Sequence, residues 1–210
     1  MSLSLKTKER VGIKMNDGPY HIDIVDKARI NNAEKFARKA HSGQTRKGSG
    51  IPFIVHPYKV ANTVQLFGGS IAQIQAALLH DTVEDAGVTL DEIENTFTKE
   101  VRDIVAALSE DKSLPTWQDR KLDYYEKISA PENEDAVLVS FADKMDNLSD
   151  TYYEWCVKGN EVFEKFNAPK EKQSWFYRVL IRDVYFKCAA LEYSGHSTRI
   201  MSEQLSAMGM

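Results

Sequence analysis

Apolar residues recur every three to four positions along most of this 210-residue chain, from about residue 22 to residue 186. In the first such segment they include Ile24, Val25, Ala28, Ile30, Ala33, Phe36 and Ala37. That spacing is typical of amphipathic helices. Alternation of apolar and polar residues, which marks strands, is almost absent, and there is no hairpin signal. Helices joined by short loops predict an all-α fold, built as a single helical bundle.

Polar caps and glycines divide this helical pattern into segments. Ser70, Thr89, Thr98 and Thr116 each stand where they can cap the N-terminus of a helix. A loop that contains three glycines, residues 41–50, separates the first two helices. We expect an N-terminal lead at residues 1–21, one domain at 22–193, and a weakly patterned tail at 194–210 that frays.

Composition narrows the classes of protein that are possible. The formal net charge is -4, so no overall basic field would recruit nucleic acid. No apolar run approaches the roughly 18 residues that a membrane helix needs, so we expect no membrane partner. The first residues lack the apolar segment and cleavage site of a signal peptide. With only two cysteines, these features predict a cytoplasmic protein.

The segment ALLHDTVED, residues 77–85, places a histidine beside an aspartate at the end of an apolar helical run. If the helix continues, His80 and Glu84 are i,i+4 neighbours, and so are Asp81 and Asp85. An isolated His-Asp pair is usually a solvated helix end. Imidazole and carboxylate together also suit a divalent metal, and Glu84 and Asp85 are then placed to orient or deprotonate a water molecule.

Further metal ligands are available on two other predicted helices. His56 stands at the entry of one helix, and Asp143 is embedded in an otherwise apolar stretch of another. A carboxylate in such a stretch is costly unless it is paired or bound to a cation. We therefore predict that His56, His80, Asp81 and Asp143 bind a Mn²⁺-like ion, with Asn147 one turn after Asp143 on the same face.

Basic residues near these ligands suit phosphate recognition. Arg46 and Lys47 lie in the glycine-rich loop ahead of His56, where Arg offers a bidentate fork and Lys a point charge. Without a metal site nearby, a solvated basic loop is the simpler interpretation. Weaker candidates for substrate binding are Lys112, Lys144, Lys172 and Arg178.

Four segments resemble a known family when taken together: TRKGSGIPFIVHP, AALLHDTVEDAGVTLDEI, the EDKSLP loop and FADKMDNLSD. The H…HD…D pattern resembles HD-superfamily metal-dependent phosphohydrolases. The finer pattern is similar to the hydrolase domain of RelA/SpoT proteins, and most of all to small stand-alone alarmone hydrolases such as the metazoan SpoT homologues. The resemblance covers roughly residues 22–190.

That resemblance implies an all-helical, Mn²⁺-dependent enzyme that removes the 3′-pyrophosphate of (p)ppGpp to give GDP or GTP. It implies metal binding by His56, His80, Asp81 and Asp143. It also implies preparation of the attacking water by Glu84 and Asp85, and nucleotide contacts near Arg46, Lys47 and Asn147.

The chain departs from the family pattern in two places. Asp146 stands where relatives often have His or Tyr, and Ser149 and Asp150 stand where they often have a basic residue. The region 152–173 matches poorly. These changes predict a more acidic pocket edge and leave three alternatives open: (p)ppGpp, another nucleotide such as NADPH or an adenine alarmone, and non-catalytic nucleotide binding.

Overall fold

The computed structural model describes residues 22–187 and 195–210, and these residues form ten α-helices. The helices are α1 (Ile24–Ala40), α2 (Val55–Leu66), α3 (Ile71–Leu79), α4 (Thr82–Ala86), α5 (Leu90–Thr96), α6 (Lys99–Leu108), α7 (Trp117–Ser129), α8 (Glu134–Lys158), α9 (Lys170–Asp183) and α10 (Gly195–Ala207). Short 3₁₀ turns lie at Pro131–Asn133, Gly159–Lys165 and Tyr185–Lys187. Within the described residues no strand forms, and the all-α prediction is confirmed.

Side-chain caps fix the start of four helices at the predicted residues. At the start of α3, Ser70 Oγ accepts from the backbone N–H of Gln73, and Gln73 Oε1 accepts from the backbone N–H of Ser70. Thr89, Thr98 and Thr116 each accept from the backbone N–H three residues further on. These bonds satisfy N–H groups that have no partner within the helix.

Two buried helical runs cross in the core, and each ends at a predicted metal ligand. The central helix α3 packs against α1, α2, α6 and α8. Its buried run passes through residues 74–79 and ends at His80. In α8, every residue from Ala136 to Asp143 is buried. Burial of these two runs therefore holds both residues at defined positions.

A buried hydrogen-bond network joins α7, α8 and the turn after α9. The Ser140 hydroxyl lies 2.8 Å from the Tyr124 hydroxyl and 2.9 Å from the Tyr185 hydroxyl. All three side chains are almost completely buried, so each hydroxyl needs such a partner. The network fixes the orientation of the Tyr124 ring.

The glycine-rich loop between α1 and α2 packs against α8. Its backbone is closed by hydrogen bonds from Arg46 N to Ile51 O (2.8 Å) and from Gly50 N to Arg46 O (3.0 Å). Gly48 has a φ of 95°, and a Cβ atom there would lie 2.7 Å from the carboxylate of Glu154. Glycine is favoured at this position because of its left-handed conformation, while the Cβ atom would meet only the mobile end of the Glu154 side chain.

The expectation that the C-terminal tail frays is wrong for its helical part. Helix α10 packs on α8 and α9 with Met201 and Leu205 buried, and Met208, just after the helix, is buried too. Arg178 donates a hydrogen bond to the main-chain oxygen of Met210, which ties the chain end to α9. The predicted lead at residues 1–21 lies outside the described residues, and the domain boundaries stay predictions. None of the described helices is long and apolar enough to span a bilayer.

Candidate metal centre and nucleotide cavity

The His80-Asp81 pair lies in the turn between two helices. Helix α3 ends at Leu79 and α4 begins at Thr82, so the continuous helix required for the i,i+4 pairs does not form. One helical bond remains, from Asp85 N to Asp81 O at 2.9 Å. The turn directs both side chains of the pair to the same point.

The structure brings together the four predicted metal ligands from α2, the α3–α4 turn and α8. His56 Nε2 lies 3.1 Å from Asp143 Oδ1 and 3.5 Å from Asp81 Oδ2. His80 Nε2 lies 3.1 Å from Asp81 Oδ2 and 3.8 Å from Asp143 Oδ1. One ligand atom each from His56, His80 and Asp81 lies within 4.8 Å of the others.

Both imidazoles are oriented so that Nε2 faces the cluster. His80 Nδ1 lies 2.8 Å from the main-chain oxygen of Ala77, and His56 Nδ1 lies 2.7 Å from Asp146 Oδ2. Each Nδ1 therefore carries the proton, because its neighbour can only accept. Within the described part of the chain, no group donates a hydrogen bond to the buried Nε2 of His80. Two nitrogens and two carboxylates with this orientation fit a divalent metal.

The two carboxylates of the cluster are held in the ionised form. Although burial opposes ionisation, His80 and His56 lower the pKa of Asp81 to about 2. Burial also opposes the charge of Asp143, yet Lys144 and the two histidines hold its pKa well below the usual range. The same carboxylates raise the pKa of His80 against the effect of burial. Both carboxylates are therefore in the charged form that binding of a divalent metal requires.

The two predicted catalytic acids lie beside the cluster in different environments. The Glu84 carboxylate accepts from the backbone N–H of Glu110 at 3.0 Å, and burial raises the pKa of Glu84. Burial and the nearby Asp81 raise the pKa of Asp85, which faces the cavity described below. Lys112 donates to the main-chain oxygen of Glu84 and lies 3.6 Å from Asp85 Oδ1.

His41 approaches the site only indirectly. It is buried at the end of α1, and its Nδ1 lies 2.8 Å from Gln44 Oε1. Gln44 in turn donates to the main-chain oxygen of Asp85 at 2.8 Å. Among the other histidines, His196 is exposed and His21 lies outside the described residues.

A cavity of about 820 Å³ opens beside the cluster, a size that suits a nucleotide. The predicted site residues that line it are Arg46, Lys47, His56, Asp81, Asp85 and Asn147. Other polar and aromatic residues complete the lining, among them Trp117, Lys121, Lys144, Asp150, Phe166, Gln173, Phe176 and Tyr177. Lys172 is exposed on α9 and does not line this cavity.

The acidic edge that the sequence predicted is balanced by cations. Arg46 lies 2.8 Å from Asp150 and 3.7 Å from Asp146, and it donates to Asn147 Oδ1 at 3.0 Å. Lys59 lies 3.1 Å from Asp146 and 3.0 Å from Asp150. These ion pairs fix the Arg46 side chain against α8, while Asn147 also donates to Asp143.

The sequence analysis did not predict the positions of two residues, Asp146 and Lys121, at this site. Asp146 was noted only as a departure from the family, although it follows Asp143 by three positions and so shares its helix face. That spacing could have indicated a contact with the predicted metal ligands. Lys121 carries no local signal, because its position in the cavity depends on how α7 packs against α8 and α9.

Comparison with known proteins identifies the family to which this chain belongs. A family model for the HD domain matches residues 33–155, which is more than half of the chain. The chain belongs to the HD-domain family. Within curated proteins it is similar to guanosine-3′,5′-bis(diphosphate) 3′-pyrophosphohydrolase MESH1 of Xenopus tropicalis, with 43% identity over 129 residues, which cover 60% of this chain and 70% of that protein.

One further curated relative and two solved structures are also similar to this chain. The Homo sapiens MESH1 protein is 42% identical over 127 residues, which cover 59% of this chain and 69% of that protein. Among solved structures, lmo0812 from Listeria monocytogenes has a TM-score of 0.63 at 26% identity, covering 76% of this chain and 99% of that one. A metazoan ortholog of SpoT that hydrolyzes ppGpp has a TM-score of 0.66 at 24% identity, covering 84% and 95%, and this likeness shows the shared fold.

Proposed function

We propose that this protein is a metal-dependent phosphohydrolase that removes the 3′-pyrophosphate of ppGpp and pppGpp, giving GDP or GTP and pyrophosphate. One observation carries the proposal. A cluster of two imidazoles and two carboxylates lies at a nucleotide-sized cavity, in a chain similar to proteins named as 3′-pyrophosphohydrolases of this compound. The cytoplasmic location expected from the sequence stays a prediction.

His56, His80, Asp81 and Asp143 would hold the metal, and we propose Mn²⁺. When bound, a divalent ion lowers the pKa of water and polarises a phosphoryl oxygen. Asp143 also accepts from Asn147, and His56 donates to Asp146. These contacts hold the ligand side chains in place before the metal arrives.

Glu84 and Asp85 are proposed to take a proton from the attacking water. The water oxygen attacks the phosphorus nearest the ribose 3′ oxygen, and the bond from that phosphorus to the 3′ oxygen breaks. The electron pair goes to the 3′ oxygen, which takes up a proton. A raised pKa makes either carboxylate a better base near neutral pH. Lys112 holds both acids, through the Glu84 main chain and the Asp85 carboxylate.

The phosphates of the substrate are proposed to meet Lys47 and the remaining donors of Arg46. Arg46 keeps part of its fork for Asp150 and Asn147. Because these contacts hold the Arg46 side chain in one position, its remaining N–H groups are already oriented to bind a phosphate. Lys172 would need a different conformation of the chain to reach the same substrate.

A second candidate keeps the chemistry and changes the nucleotide. The carboxylate of Asp150 lines the cavity where relatives often have a basic residue, and it holds Arg46 and Lys59. Because these ion pairs engage both cations, fewer positive donors are free for substrate phosphates, which favours a nucleotide with fewer phosphates, such as NADPH. An adenine alarmone is the other alternative. A comparison of turnover rates for these nucleotides distinguishes the two candidates.

The test is hydrolysis of ppGpp with Mn²⁺, run beside NADPH and pppApp. Asp81→Ala removes one proposed ligand, and Asp91→Ala, an exposed acid on α5, is the matched control. Release of GDP and pyrophosphate that is lost in Asp81→Ala and kept in Asp91→Ala supports the proposal. Turnover of NADPH or pppApp alone favours the second candidate, and no turnover of any of the three contradicts both.

A further inference from the structure

Two lysines, Lys121 and the weaker sequence candidate Lys144, line the nucleotide cavity, and the proposed function gives neither of them a role. Lys144 Nζ lies 4.7 Å from the centroid of the Tyr124 ring, and Lys121 Nζ lies 4.8 Å from the centroid of the Phe176 ring. The two rings are in edge contact, with centroids 5.8 Å apart. Each ammonium group therefore contacts one ring of the same aromatic pair, and both lysines line the cavity.

Each lysine pairs with a carboxylate that it shares with another basic side chain, His56 for Asp143 and Arg120 for Glu110. Lys144 pairs with Asp143, and Lys121 pairs with Glu110. Their side chains are 14% and 16% exposed. Burial lowers the pKa of Lys121, and the nearby charge of Lys144 lowers it further. Two like charges in a poorly hydrated wall repel each other, and an anion bound between them would relieve that repulsion.

The position of Lys144 relates this wall to the metal centre. Asp143 presents Oδ1 to His56 at 3.1 Å, while its other oxygen, Oδ2, pairs with Lys144. Only the Asp143 carboxylate therefore separates an anion bound to Lys144 from the proposed metal centre, where the reacting phosphorus would lie. In a 3′-diphosphate the outer phosphate is joined to that phosphorus by a single bridging oxygen.

We propose that Lys121 and Lys144 form a subsite for the outer phosphate of the 3′-diphosphate, and that this subsite selects a diphosphate over a monophosphate. The inference rests on the proposed function and adds to it the residues that distinguish the two classes of substrate. Each ammonium offers donors that can rotate toward phosphate oxygens. A 2′- or 3′-monophosphate fills the metal site but leaves this subsite without its anion.

The test uses Lys121→Met, which removes the charge and keeps an apolar stem over Trp117 and Phe176. Lys127→Met is the matched control, since Lys127 is on the same helix, pairs with Asp123 at 2.7 Å and does not line the cavity. Binding of inorganic pyrophosphate and inorganic phosphate is measured by calorimetry on the full chain with Mn²⁺. Lys121→Arg keeps the positive charge, so it separates the effect of losing the charge from damage to the fold caused by substitution at this position.

We expect the unchanged protein to bind pyrophosphate more tightly than phosphate. Lys121→Met should weaken pyrophosphate binding about tenfold or more, the size of a lost charge-assisted hydrogen bond, and change phosphate binding less than about threefold. Lys127→Met should change neither, and Lys121→Arg should keep the preference. Equal weakening of both anions in Lys121→Met, or no preference in the unchanged protein, overturns the subsite.

A kinetic comparison separates this inference from the proposed function. Lys121→Met should lower kcat/KM for ppGpp about tenfold or more while that for NADPH, whose 2′ position carries a monophosphate, changes less than about threefold. If the unchanged protein does not hydrolyse ppGpp, the proposed function fails. The pyrophosphate binding experiment still decides the subsite in that case.

Discussion

Asp146 is predicted to support metal binding through His56. The His56 Nδ1–H group donates to Asp146 Oδ2 at 2.7 Å, and the two side chains are 1% and 10% exposed. This contact fixes the tautomer and the ring orientation of one ligand, while His80 is fixed by the main-chain oxygen of Ala77. Loss of such a supporting carboxylate typically lowers metal affinity about 10- to 100-fold. Asp146→Ala should therefore weaken Mn²⁺ binding by about 1.4 to 2.7 kcal/mol.

The assay is calorimetric titration of the metal-free protein with Mn²⁺. Asp150→Asn is the matched control, because Asp150 also pairs with Arg46 and Lys59 but does not contact His56. Asp146→Asn keeps an oxygen that can accept from Nδ1, so its loss should be smaller than that of Asp146→Ala. The reasoning is refuted if Asp150→Asn weakens Mn²⁺ binding as much as Asp146→Ala does, since the effect would then be one of charge alone.

Three further predictions concern the site and the core. Burial raises the pKa of both Glu84 and Asp85, and either carboxylate must lose its proton before it can act as the base. The reaction rate should therefore rise with pH, at a pH above the usual carboxylate pKa range. If this rise is unchanged in both Glu84→Gln and Asp85→Asn, neither residue is the base. Asp81→Ala, or removal of metal from the unchanged protein with a chelator, should abolish turnover, and full activity after either treatment contradicts the metal site. Phe141 is completely buried, so Phe141→Ala should lower the free energy of unfolding by about 3 to 5 kcal/mol in urea denaturation, and a loss under about 1 kcal/mol contradicts its place in the core.

Local patterns were enough to predict most helices, and they nominated the residues that we propose as metal ligands. Ser70, Thr98 and Thr116 begin helices as expected, because a cap depends on atoms within three residues. The chemistry of His80 and Asp81 was also visible from their types and their place after an apolar run. Helix α10 was missed for the opposite reason. Its pattern is weak, and burial of Met201 and Leu205 against α8 and α9 stabilises it.

The sequence by itself determined the helical class of the fold and nominated the residues that we propose as metal ligands, because periodicity, capping and side-chain chemistry act over short distances along the chain. Only the tertiary structure decided which distant charges meet. His56 and Asp146 are 90 positions apart in the chain, and their contact requires α2 to pack on α8. In the same way, the packing of α7 against α8 and α9 places Lys121 near Lys144. Such contacts have no periodic signal, since they depend on how separate helices bury their apolar faces together.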